Sequence, residues 1–193
     1  MSETAQKRHT FVVSGPSPWV RRWSELITVD ARVLDFACGT GRNLPPLLER
    51  GARVIAADRD DQALALVKQH HPRVACVCSD LENHPWPFAP GSFDALVCCN
   101  FLHRPRLDLL IGLLAPAGVL IYETFAIGNE RYGKPSNPAF LLAEGELQRV
   151  ASRNRLQTLA YEHGLSGGPR PAMVQRICAV RAGRDAETCP LVG

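Results

Sequence analysis

Five short apolar runs, each closed by a polar residue or a glycine and separated from the next by a stretch with helical spacing, restrict this chain more than any other feature. Val33, Leu34 and Phe36 make the first; Arg53 to Ala57, Val74 to Cys78, Phe93 to Cys98 and Val119 to Thr124 follow. Strands this continuously apolar are buried on both faces, and alternation with helices gives a parallel sheet between two helical layers. The helices are read from Leu44, Leu47 and Leu48, from Asp61 to His70 with Ala63, Leu64, Leu66 and Val67 inward, and from Leu107 to Leu114. Ser17 before Pro18 is an N-cap with a proline in the first turn, so Trp19, Val20, Trp23, Leu26 and Ile27 form an opening amphipathic helix. Pro116 to Gly118 is expected to turn the chain into the fifth strand.

The last third changes character. Phe125 to Asn137 reads as a long loop, Glu144 to Asn154 as a helix, and Leu156 to Glu162 and Met173 to Arg181 as two strands. The GLSGGPRP link between those strands is too short for a crossover helix, so the pair is antiparallel. The expected fold is a single α/β domain over 17–182: a seven-stranded, mostly parallel sheet with helices on both faces and an antiparallel C-terminal pair. Residues 1–16 and 183–193 read as flexible ends.

A net charge of +3 and the lone Arg21-Arg22 pair argue against a nucleic-acid surface. MSETAQKRHT has no apolar core behind it, and the longest apolar stretch, Leu107 to Tyr122, is broken by Asp108 and Pro116. Neither secretion nor a membrane span is expected, and a cytoplasmic location is. The seven cysteines (Cys38, Cys76, Cys78, Cys98, Cys99, Cys178, Cys189) show no CxxC spacing and read as reduced, mostly buried thiols rather than a metal cluster.

The chemistry concentrates in Asp35-Phe36-Ala37-Cys38-Gly39-Thr40-Gly41, between the first strand and its helix. A turn so poor in side chains lets a ligand approach the backbone. A dinucleotide fingerprint needs a third glycine for helix–strand packing, and Arg42 stands there. The segment instead resembles the D-x-G-x-G-x-G turn of class I S-adenosylmethionine-dependent methyltransferases, a Rossmann-like fold, with Ala37 replacing the first glycine. The resemblance implies that Asp35, Ala37, Gly39 and Gly41 help seat the cofactor, with Asp35 holding its amino-acid end directly or through water. It further assigns Asp58, 17 residues after Gly41, to the ribose hydroxyls, and Asp80 with the Leu81 backbone to adenine. Taken singly, each aspartate could equally be a helix cap or turn residue.

Asn100, just past the fourth strand, falls where ligands lie in open parallel sheets and is expected beside the reacting methyl group. The chain lacks the N/D-P-P-Y/F motif of enzymes that methylate adenine or glutamine nitrogen. His103 is a candidate base or a satisfied helix-start histidine. Glu123, at the same sheet edge as Asn100, is either a proton acceptor or a salt-bridge partner; these two are the candidate catalytic residues. In the long loop, Asn129, Arg131, Tyr132 and Lys134 suit a substrate lid or a solvated surface, and Gln175 and Arg176 are placed at the acceptor pocket. Trp19 and Trp23 either close over the site or simply pack. Together SPWVRRW, DFACGTGR, YETFAIGNERYGKPSNPAFLL and MVQRICAV are similar to small bacterial TehB-like methyltransferases.

The resulting expectation is methyl transfer from S-adenosylmethionine to a small polar or anionic molecule by in-line displacement, without a metal. A non-catalytic module that binds the cofactor, an RNA methyltransferase and, against Arg42, a nicotinamide-dependent reductase are the alternatives.

Overall fold

The computed structural model describes residues 15–167 and 170–183, so the expected flexible ends and Cys189 lie almost wholly outside the described residues. The chain runs α1 (Pro18–Trp23), β1 (Arg32–Phe36), α2 (Leu44–Glu49), β2 (Arg53–Asp58), α3 (Asp61–His70), β3 (Ala75–Cys78) and β4 (Phe93–Cys99). It continues through α4 (Leu107–Gly112), β5 (Leu114–Phe125), α5 (Glu146–Arg153), β6 (Leu156–Ser166) and β7 (Ala172–Arg181). The seven strands form one sheet in the order β3-β2-β1-β4-β5-β7-β6. β1 to β5 pair in parallel, and β7 inserts antiparallel between β5 and β6.

Strand alternation sorts the apolar residues into two cores. Val33, Val54, Val97, Ile121 and Cys178 face Trp19, Val20, Trp23, Leu44, Leu47, Leu64 and Val67, from α1, α2 and α3. Leu34, Phe36, Leu96, Leu120, Tyr122 and Ile177 face Leu107, Leu110, Ile111, Leu147 and Val150, from α4 and α5. Burying each of these larger side chains contributes about 1.5 to 3 kcal/mol before chain entropy is set against it. Cys38, Cys98, Cys99 and Cys178 belong to these cores, and burial pushes the Cys98 and Cys99 thiols up, keeping them neutral. Cys78 is exposed. No helix among the described residues is long and apolar enough to cross a membrane.

Helix ends shift by a few residues, with α1 stopping at Trp23 and α5 starting at Glu146, and three strand-side features depart further from the sequence reading. α4 stops at Gly112, and Pro116 to Gly118 lie inside β5 as an irregularity, where pairing jumps from Phe93↔Leu114 to Ala95↔Val119. Crowding explains the glycine, because a Cβ on Gly118 would sit 2.9 Å from the Ala115 carbonyl. β6 extends to Ser166, past a glycine that interrupts its pattern, because β7 pairs with it through Ser166↔Ala172. The Ser166 hydroxyl closes that end with bonds to both the Ala172 amide and carbonyl.

From β1 the chain steps outward to β2 and β3, then returns to β4 on β1's other side. The carboxyl ends of β1 and β4 therefore flank the switch point, where open α/β sheets leave a crevice.

Candidate functional site

β1 delivers the chain into the turn, where Ala37, Gly39 and Gly41 all take left-handed backbone angles, with φ of 57°, 55° and 80°. Alanine tolerates this conformation at a cost of about 1 kcal/mol. The two glycines do different work. A Cβ on Gly41 would lie 2.6 Å from Leu44 Cδ1 and 2.9 Å from Val67 Cγ2, so this glycine lets α2 and α3 close together. A Cβ on Gly39 would meet nothing within 4 Å, which makes Gly39 the open wall of the turn.

Asp35 shares a face with Val33 and is 1% exposed. Its Oδ2 is buried and accepts no hydrogen bond. Burial pushes its carboxyl up to about 7, with Arg42 opposing the shift and Asp58 adding to it. A buried carboxylate oxygen without a donor is costly, and a cationic ligand group beside it would relieve that cost.

Asp58 closes the turn from β2. Its Oδ2 accepts from the Gly39 amide at 2.8 Å and its Oδ1 from the Asp60 amide at 2.9 Å. The cap of α3 is Asp60, which accepts from Gln62 and Ala63, so Asp58 does not serve that helix. Asp80 does behave as a local cap. It accepts from the Glu82 and Asn83 amides and from Asn83 Nδ2, and these bonds hold its carboxyl down to about 2. Leu81 is buried, with its carbonyl accepting from Trp86 Nε1 at 3.0 Å.

On the other side of the crevice, Asn100 follows β4 at φ 56°, exposed, with its amide donating to the Glu123 carbonyl at 2.9 Å. Register places Cys99, Glu123, Arg176 and Glu162 in one row across β4, β5, β7 and β6. Arg176 reaches Glu123 Oε2 at 3.3 Å and Glu162 at 2.6 Å, so the salt-bridge alternative for Glu123 is realised. The second Glu123 oxygen accepts from Ser17 Oγ at 2.9 Å. Above this row Trp19 packs under the Arg176 guanidinium, 5.1 Å away, and donates to the Ile177 carbonyl. A groove of about 400 Å³ continues from Arg176 and Glu162 past His163, Leu165 and Ser166.

Two expected acceptor residues lie elsewhere. Gln175 points to the opposite sheet face, where its side chain bonds the Ala143 carbonyl and the Leu147 amide and anchors α5. The alternation of β7 accounts for this, since Arg176 then takes the site face. Asn129 is buried and braces its own loop through the Pro135 carbonyl and the Met173 amide. Arg131, Tyr132 and Lys134 are exposed on that loop. His103 lines a void of about 10 Å³ with Phe36, Trp86 and Tyr122, room for one water. Sequence reasoning missed Ser17 as a contact of Glu123 and missed Glu162 altogether. Cross-strand register could have found Glu162 through Arg176, whereas no local signal marks the Ser17 contact.

Residues 33–117 match the methyltransferase domain family. Over 117 residues the chain is 30% identical to a demethylmenaquinone methyltransferase of Paenarthrobacter aurescens (strain TC1), covering 55% of this chain and 46% of that one. Over 103 residues it is 45% identical to the biotin biosynthesis bifunctional protein BioHC of Cellvibrio japonicus (strain Ueda107), covering 50% of this chain and 20% of that one. The chain thus spans half or less of the length of these curated relatives. Among solved structures, TehB from Haemophilus influenzae superposes with a TM-score of 0.68 at 19% identity, covering 84% of this chain and 61% of that one, a likeness of fold.

Proposed function

We infer that this chain is a class I S-adenosylmethionine-dependent methyltransferase, TehB-like in fold, that moves a methyl group to a small polar acceptor, a reading supported by the methyltransferase-domain match and the fold. The observation that carries the reading is the partnerless, buried Oδ2 of Asp35 beside the open wall at Gly39. That pair suits a ligand with a cationic amino-acid end, and the adjoining acid at Asp58 suits a ribose. When bound, S-adenosylmethionine supplies a methyl group already activated on a sulfonium sulfur.

Displacement at an activated methyl needs alignment and dryness more than acid–base help. Asp35 and the turn would fix the cofactor's amino-acid end, Asp58 would hold the sugar, and Asp80 with the Leu81 backbone would border the adenine. Asn100 and Glu123 line the acceptor side, where the Glu123 carboxylate would accept a hydrogen bond from the acceptor N–H or O–H and take up that proton as the methyl group leaves sulfur for the acceptor. Trp19 in α1 lies under Arg176 and would keep water from that side, while Trp23 packs in the core beneath α1. Arg131 and Lys134, exposed on the long loop, would draw in an anionic acceptor.

For Asp58→Ala the expected result is a loss of about 1 to 3 kcal/mol of cofactor affinity by calorimetry, the scale for removing charge-assisted hydrogen bonds. For Glu123→Gln, transfer of a tritium-labelled methyl group to the small-molecule fraction of a cell extract is expected to stop, with S-adenosylhomocysteine affinity within about twofold of wild type. Full transfer in that variant would remove Glu123 from the reaction. Absence of any labelled product from the wild-type chain, with cofactor still bound, would favour a binding module over an enzyme.

A further inference from the structure

Ser17 is 1% exposed, and each of its polar groups toward α1 and the site is committed. Its amide donates to Asn43 Oδ1 at 3.0 Å, on the residue that leads from the glycine turn into α2. Its hydroxyl oxygen accepts from the Trp19 and Val20 amides at 3.1 and 3.4 Å. A hydroxyl has two lone pairs and one proton. With both lone pairs facing N–H donors, the proton must go to an acceptor, and Glu123 Oε1 stands 2.9 Å away. The direction of this bond follows from the count of donors and acceptors, with Ser17 donating and Glu123 accepting.

The other Glu123 oxygen is fixed by Arg176, which is itself fixed by Glu162 and by the ring of Trp19. Trp19 lies two residues beyond Ser17 on the same helix, so the contacts close a ring from Ser17 to Glu123, to Arg176, to Trp19 and back. We propose that Ser17 is a positioning residue for Glu123: it fastens α1 to the acceptor side and aims the Glu123 carboxylate, while its amide joins the same helix to the cofactor turn. This rests on the reading of the cleft as a methyl-transfer site. One lone pair of each Glu123 oxygen is taken by Ser17 and Arg176. The remaining pairs can only accept, and Arg176 is already shared by two carboxylates. The acceptor class that fits is therefore one that presents an N–H or O–H donor at the reacting atom, whatever charge it carries elsewhere.

Aspartate caps a helix as well as serine does but cannot donate to a carboxylate, so Ser17→Asp separates capping from positioning. In Ser17→Asp, amide exchange across α1 should speed up by about tenfold or more, and the labelled-methyl rate should fall at least as far, with S-adenosylhomocysteine affinity within about threefold. Ser17→Thr, which keeps the hydroxyl, should behave as wild type on all three measurements. In Ser17→Asp with Glu123→Gln, the new amide can donate to the new carboxylate, so slow exchange of α1 should return although transfer does not. Wild-type exchange in Ser17→Asp would mean that capping is all Ser17 does, and failure of the double variant to restore slow exchange would mean that its contact with Glu123 does not hold α1. Either result overturns the proposal. The exchange arm needs no cofactor, so a wild-type chain that fails to bind S-adenosylhomocysteine would refute the methyl-transfer reading alone.

Discussion

Asp35→Asn is expected to give a protein that is more stable than wild type without cofactor and that binds the cofactor about tenfold to a hundredfold more weakly. Burial lifts the carboxyl of Asp35 from its ordinary 3.8 to about 7. Between those two values the folded chain holds a proton that the unfolded chain has released. Stability contributed by this group therefore declines as pH rises through that window, and the full penalty is present above about pH 7. A neutral amide avoids the penalty, so the gain in unfolding free energy above pH 7 should be about 3 to 4 kcal/mol, vanishing toward pH 4. Cofactor binding has the opposite dependence, because the ionised carboxylate is what meets an ammonium group. Wild-type affinity should rise as pH rises toward 8, and in Asp35→Asn it should not. Thermal unfolding across pH 4 to 8, paired with calorimetry, checks both halves. Equal stability of the two proteins at pH 8 would show that the carboxylate is satisfied in the folded chain.

The second large effect separates two glycines two residues apart. Gly41→Ala should destabilise the fold by about 2 to 4 kcal/mol, because its Cβ would overlap Leu44 and Val67 in the closed core and φ of 80° adds backbone strain. Both neighbours are wholly buried, so neither has room to retreat. Gly39→Ala meets no atom within 4 Å, so its stability should fall by only about 1 kcal/mol for the left-handed angle. Its methyl group stands where a ligand would approach the turn, and cofactor affinity should drop about tenfold or more. Urea unfolding and calorimetry on the two variants measure the crossover. Normal binding by Gly39→Ala would mean that the ligand does not use that wall.

The sheet was legible in the sequence because its strands are apolar on both faces. β2 ends at Asp58, β4 is followed by Asn100 and β1 runs into the glycine turn, and these changes of character mark the carboxyl edge. The glycine turn was legible for a related reason, since three left-handed angles in five residues call for small side chains. What escaped was whatever depends on partners distant in sequence. Ser17 looks like a helix cap and is one, yet its proton goes to a strand more than a hundred positions away. Gln175 and Arg176 are adjacent and equally polar, and only the register of β7 against β5 decides which faces the site. Asp58 and Asp80 end neighbouring strands alike, but Asp80 finds Asn83 within its own turn whereas Asp58 reaches back to Gly39. The extension of β6 follows from hairpin pairing with β7, which outweighs the weak strand preference of its glycine.

We propose that a nucleoside-bearing cation lies in the crevice above Gly39, gripped by Asp35 and Asp58. Calorimetric titration of the full chain with S-adenosylhomocysteine, run beside Asp58→Ala, tests it most directly. One binding site, weakened about fivefold or more by the substitution, is the predicted result. No binding, or the same affinity in both proteins, would contradict it.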